Sequence, residues 1–181
     1  MVNSYKKSNG SREYGEYLEI VDWGNRSLGV MSREEVHNQG LCHRSVLVLV
    51  YDSANRLLVQ KRQQTKMAYP GCWDLSASGH VLAGESTADA ACRELREEVG
   101  INPPRIRLVN KIAASRETDF EFVYLFSTGK INTDPSPNNM EVQSVSFLDR
   151  EGMDSLVREF PENLTPALAF FWKRQLLFPR L

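Results

Sequence analysis

Cysteine is scarce in this chain. Only Cys42, Cys72 and Cys92 occur. None stands in a CxxC, and an odd number is a poor disulfide set. That excludes a disulfide-stapled secreted scaffold and points to a reducing compartment. Long hydrophobic runs are missing as well. The longest, Val46–Tyr51, is far short of the roughly 20 residues that span a bilayer, so no membrane partner is expected. The N-terminal MVNSYKKSNGSREYGEY lacks the apolar core of a signal peptide, and a cytoplasmic location is expected. An excess of one charge is also absent. Lys plus Arg is 22, Asp plus Glu is 23, and the formal net charge is −1. The strongly basic footprint of a nucleic-acid binder is therefore excluded. Any phosphate-bearing ligand must be gripped by local charge.

What is present is ordinary. The 181 residues are 41% hydrophobic and 25% charged, near the soluble globular average. A chain of this size buries roughly two thirds of its unfolded surface and needs no staple. Residues 1–15, polar and rich in Ser and Gly, read as a flexible N-terminal segment. Residues 16–181 read as one domain.

Strand patterns cover Tyr17–Asp22, Leu28–Met31, Val46–Tyr51, Leu57–Lys61, Trp73–Ala77, Ile106–Ala113, Phe120–Ser127 and Val142–Leu148. Val46–Tyr51 is continuous and β-branched, as a buried central strand should be. Ser32 and Glu35 are spaced as a capping box opening a short helix. The clearest helix is Ser86–Val99, with Ser86 and Asp89 at capping-box spacing and an apolar stripe of Ala88, Ala91, Cys92, Leu95 and Val99. Gly100 and Pro103–Pro104 end it. Two helices close the chain near Glu151–Glu159 and Thr165–Leu177. Strands first and helices last reads as α+β.

Residues 79–101 read GHVLAGESTADAACRELREEVGI. Glu94, Glu97 and Glu98 stand at i, i+3 and i+4, so they share a helix face. Three like charges this close need a cationic partner, and hard divalent cations take carboxylate oxygens. The apolar stripe is expected on another face of the helix. Glu85 and Arg93 are expected to pair and fasten the preceding loop to the helix. The competing reading is a solvated acidic face.

Gly79, Glu85, Arg93-Glu94-Leu95, Glu97-Glu98 and Gly100-Ile101 fill every constrained position of G-x5-E-x7-R-E-U-x-E-E-x-G-U, where U is apolar. On that motif the chain resembles the Nudix superfamily. The resemblance implies an α/β/α sandwich with a mixed sheet. It also implies Mg²⁺, with Mn²⁺ as a substitute, held by Glu94, Glu97, Glu98 and the Gly79 carbonyl. The implied reaction is hydrolysis of a diphosphate bond in a nucleoside-diphosphate-X or related small molecule. Glu94 or Glu98 can serve as the base. Glu141 stands where several Nudix enzymes carry a mobile loop glutamate.

The region preceding the box looks like the isopentenyl-diphosphate-isomerase branch, through His43, Arg62, Lys66, Pro70-Gly71-Cys72-Trp73 and His80. Arg62 and Lys66 are the natural diphosphate contacts, one a bidentate fork and one a point charge. The resemblance implies a candidate second metal site at His43, His80, Glu121 and Asp119, the last replacing a glutamate. His37 is a further candidate, one residue closer to His43 than the isomerase spacing. Two departures favour hydrolysis. Ser78 takes the place of the isomerases' proton-transferring cysteine, and its hydroxyl is a far weaker acid than a thiol. The isomerases also lack acids at the positions of Glu94 and Glu97. The rival readings are an isomerase and a non-catalytic nucleotide-sensing module. Trp23 and Trp73 are expected in core packing. The apolar ALAFFWKRQLLF can pack within the domain or across a homodimer interface.

Overall fold

The computed structural model describes residues 15–178. Residues 1–14, most of the segment expected to be flexible, lie outside the described residues.

A hairpin of β1 (Tyr17–Val21) and β2 (Ser27–Ser32) leads into α1 (Arg33–Gln39). Ser32 and Glu35 form the expected capping box, and Gly40 closes the helix in the left-handed region at φ 59°. A seven-stranded mixed sheet follows. It contains β3 (His43–Tyr51), β4 (Leu57–Arg62), β5 (Trp73–Asp74), β6 (Ala77–His80), β7 (Arg107–Ile112), β8 (Glu121–Lys130) and β9 (Val142–Leu148). The path runs β5-β4-β3-β8-β7, with β6 on β3 and β9 on β4. β3 and β8 are parallel; the other pairs are antiparallel.

β3 is apolar on both faces because both are covered. Val46, Val48 and Val50 pack with Ala90, Ala91, Leu95 and Val99 of α2 (Thr87–Val99). Leu47 and Leu49 pack with Met153 of α3 (Arg150–Glu159) and with Leu168 and Phe171 of α4 (Pro166–Lys173). Each of these Val, Leu, Met and Phe side chains contributes about 1.5–3 kcal/mol by leaving water. The result is the expected sheet between helices. The last helix packs within the domain, the first of the two options its sequence left open.

Several boundaries differ from expectation for local reasons. β3 begins at His43, because His43 pairs with Glu121 across the parallel ladder. Trp73–Ala77 is broken into β5 and β6, because Asp74 turns to its own neighbour, its carboxylate accepting from Leu75 N at 2.8 Å. α4 stops at Lys173, and Gln175 sits at φ 56°. Ala88 is exposed and Ala90 takes its place in the buried stripe. Ser86 caps α2, but the Asp89 carboxylate accepts from the Ser86 hydroxyl at 2.7 Å and so completes no capping box. Trp23 is 67% exposed, with its ring set edge-on to Phe120, so it is not a core residue. Trp73 packs against the α3–α4 side of the core. Among the described residues no helix is long and apolar enough to cross a membrane.

Candidate active site

β6 and α2 bring the carboxylates together. Ser78, Gly79 and His80 lie on β6, which pairs with β3 from Ser45↔His80 to Val48↔Ala77. Arg93 is the hub. Its Nε and Nη2 donate to the two oxygens of Glu85 at 2.9 and 3.0 Å, fastening the loop before α2 to the helix. Its Nη2 also donates to His80 O at 2.9 Å. Its Nη1 reaches Glu94 at 2.6 Å and Glu97 at 3.3 Å. These last contacts go beyond the expected Glu85 pairing. They supply part of the positive charge that three adjacent carboxylates require.

Glu98 does not keep to the expected face apart from the apolar stripe. It lies in the buried stripe of α2 with Leu95 and Val99. Its Oε2 accepts from Ser78 N at 2.9 Å and Gln60 Nε2 at 2.8 Å. Burial, reinforced by the charge of Glu94, pushes its carboxyl up to about 8. Burial likewise pushes Glu94 up to about 7, against the pull of Arg93. Buried carboxylates with this little compensation can be neutralised by protons or by a divalent cation, and oxygen donors alone suit Mg²⁺.

Gly79 makes room for Glu94. A Cβ built there would lie 2.1 Å from Glu94 Oε1. Gly79→Ala is expected to displace that carboxylate and lower turnover by about 10–100-fold. The melting temperature should move little, because a flexible side chain yields more easily than backbone. Unchanged turnover would mean Glu94 is not needed where it stands.

A second cluster joins four elements: His37 of α1, His43 of β3, Glu121 of β8 and His80 of β6. Their ligating atoms all lie within 4.8 Å of one another. His37 Nε2 is 3.0 Å from His80 Nε2, and Glu121 Oε1 is 3.5 and 3.4 Å from the Nε2 atoms of His43 and His80. His43 Nδ1 sits 2.9 Å from Leu41 O, which places a proton on that nitrogen and turns Nε2 toward Glu121. That Nε2 is buried and has no hydrogen-bond partner. Burial would raise Glu121, but the facing imidazoles of His43 and His80 outweigh it and hold its carboxyl well below the usual range. A nitrogen-rich set with one carboxylate fits a borderline divalent ion better than Mg²⁺. His37 thus joins the cluster despite its short spacing. Asp119 stands 3.5 Å from His37 Nδ1, on the far side of that ring from the His80 contact.

Arg62 and Lys66 each have an acidic partner. Arg62 Nη1 donates to Asp74 Oδ2 at 3.3 Å and its Nε to Ala68 O at 3.2 Å. Lys66 forms an ion pair with Glu141. Asp74 is buried and also accepts from Ser78 Oγ at 3.2 Å and Thr165 Oγ1 at 2.8 Å. Asp74 and Gln60 were missed in the sequence. The signal was there: each is a polar residue in an otherwise apolar or aromatic strand fragment, LLVQ and CWD. Such residues are buried only when something inside needs a hydrogen bond.

The family described as NUDIX domain matches residues 42–168. An uncharacterized Nudix hydrolase of Pseudomonas aeruginosa is 46% identical over 92 residues, 51% of this chain and 54% of that protein. The match thus spans about half the length of that relative. The isopentenyl-diphosphate Delta-isomerase of Serratia proteamaculans is 32% identical over 157 residues, 83% of this chain and 86% of that one. A crystal structure from Deinococcus radiodurans has a TM-score of 0.76 at 22% identity, covering 88% of this chain and 98% of that one.

Proposed function

The chain belongs to the Nudix hydrolase family, and from its site we propose that it hydrolyses a phosphoanhydride bond in a diphosphate-bearing small molecule with the help of Mg²⁺. The observation that carries this reading is the complete carboxylate set, with Glu94 seated against Gly79, Glu98 held by Ser78 and Gln60, and Arg93 fastening both helix and loop. Glu94, Glu97 and Glu98 would hold the cation, with the Gly79 carbonyl beside them. A cation bound there would neutralise charge on the diphosphate and would acidify water. Arg62, oriented by Asp74, and Lys66 grip the anion. Water oxygen bonds to one phosphorus as that phosphorus parts from its bridging oxygen, which leaves with the electron pair. A carboxylate, Glu141 in this reading, takes the proton released by the water. A screen of diphosphate compounds with Mg²⁺ and with Mn²⁺ tests this, read by the phosphate that a phosphatase frees from the newly formed phosphomonoesters; silence across nucleoside-diphosphate and coenzyme classes would overturn it.

The His37–His43–His80–Glu121 cluster favours a second reading, an isomerase like the Serratia relative. The cluster suits Mn²⁺ as a second ion. Ser78 speaks against isomerisation, because its hydroxyl, hydrogen-bonded to Asp74, is protonated near neutral pH. Incubation with isopentenyl diphosphate in deuterated water is expected to give no deuterated dimethylallyl diphosphate, from wild type or from Ser78→Cys. The variant stays inactive because Glu94 and Glu97 change the charge of the site. Product from the wild type would replace the hydrolase reading. Product from Ser78→Cys alone would show that one side chain, not the box, separates the two activities.

A further inference from the structure

Glu141 does not sit on a free loop. Ser136 N donates to Val99 O at 2.8 Å and Asn138 N to Glu98 O at 2.9 Å, so the segment before β9 is strapped to the end of α2. From the other side Gln63 N donates to Glu141 O at 2.9 Å, and Gln63 Nε2 to Asn139 O at 2.8 Å. Val142 then pairs with Arg62 across β4 and β9. The Glu141 backbone is therefore fixed beside both phosphate-gripping residues. Its carboxylate meets the Lys66 ammonium there, with only 26% and 29% of the two side chains exposed.

This pair unites two groups that the hydrolytic reaction needs apart. While Lys66 is bound to Glu141, a diphosphate lacks one of its cations and the attacking water lacks its base. We propose that the Lys66–Glu141 pair is a substrate-operated latch: the diphosphate takes Lys66 for itself and so releases the Glu141 carboxylate to accept the proton of the attacking water. This rests on the hydrolase reading. Because the strap holds Glu141 on both sides, the movement falls on Lys66, whose charge rides on a flexible four-carbon stem. A diphosphate carries more than one negative charge and can outbid a single carboxylate for that ammonium. An anion of a single charge offers Lys66 no more than Glu141 does. Glu141 then acts twice, as the competitor that keeps Lys66 occupied before binding and as the base after it.

Calorimetric titration with imidodiphosphate, a diphosphate with a non-hydrolysable bridge, in the presence of Mg²⁺ tests the exchange. Wild type, Glu141→Gln, Lys66→Met and the double variant are compared. Glu141→Gln is expected to bind about 2–5-fold more tightly than wild type, the worth of a partly shielded ion pair no longer in competition. Lys66→Met is expected to bind more weakly. Adding Glu141→Gln to Lys66→Met should change nothing, because no latch is left to open. Turnover should fall in both single variants. Tighter binding from Glu141→Gln in both backgrounds would reduce the effect to removal of a nearby negative charge and overturn the latch. So would weaker binding in Glu141→Gln, or no binding to any of the four proteins. The titration reads the exchange without turnover, so its failure is distinct from failure of the hydrolase reading. Both side chains are partly exposed, and melting curves identify any variant whose fold has changed.

Discussion

Glu98→Gln is expected to lower turnover by about 10²–10³-fold at saturating Mg²⁺ while raising the stability of the metal-free protein above pH 7. The two effects have one origin. Glu98 is buried, and its carboxyl is pushed up to about 8 from an ordinary 4.5. Between those values the folded protein holds a proton that the unfolded chain has lost. Stability from this group is therefore complete below pH 4.5 and is lost as pH rises through 8. Glutamine carries no such charge, and its side-chain oxygen can still accept from Ser78 N and Gln60 Nε2. In chelator, the variant should match wild type near pH 5 and exceed it near pH 8.5 by about 1–3 kcal/mol, the cost of burying a poorly compensated polar or charged group. Melting curves at the two pH values check the stability arm. Wild-type turnover in the variant would remove Glu98 from the metal set.

A cation reverses the sign of that arm. Glu98 and Glu94 must both be ionised to hold one, and each is pushed toward neutrality by burial. Metal affinity is thus linked to proton release and should rise through pH 7–8. In the proposed site, burial of Glu98 among Leu95 and Val99 would trade stability of the metal-free chain for metal affinity.

Much of this was legible in the sequence, and the parts that were not share a cause. Local rules reached local features: the Ser32–Glu35 box, the Ser86 cap and the stop at Gly100 all depend on residues a few positions apart. The motif spacing likewise reached Glu85 and Arg93, one loop and two helical turns apart. Depth of burial was not local. Glu98 reads as surface until Gln60, 38 residues away, donates to it from β4. Asp74 reads as one more residue of an extended Trp73–Ala77 until Thr165, 91 residues away, caps α4 and donates to it. His37 looked one residue out of step with His43, but the chain reverses through left-handed Gly40 between them, and the rings stand with centroids 4.8 Å apart. The strap on Glu141 was hidden for the same reason, since its partners are backbone groups of α2 and of the turn after β4.

Arg93→Ala is the variant expected to cost most in activity and stability together. The guanidinium is mostly shielded, with 18% of its side chain exposed, and it serves Glu85, Glu94, Glu97 and His80 O at once. Removing it leaves the Glu94 carboxylate without the charge that opposes its burial, and frees the loop that Glu85 holds through Leu82 N. Loss of one partner from a shielded network costs about 2–4 kcal/mol after allowance for residual exposure. For a chain of this length that is roughly 5–15 °C in melting temperature. Turnover should fall with it, because Glu94 and the β6 carbonyl of His80 lose their common anchor. Arg93→Lys separates charge from geometry: it keeps one positive charge but cannot reach both Glu85 oxygens and His80 O from a single ammonium. Its melting temperature should recover in part, and its turnover less. Loss of activity in Arg93→Ala with an unchanged melting temperature would contradict the supporting role and place the guanidinium on the substrate itself.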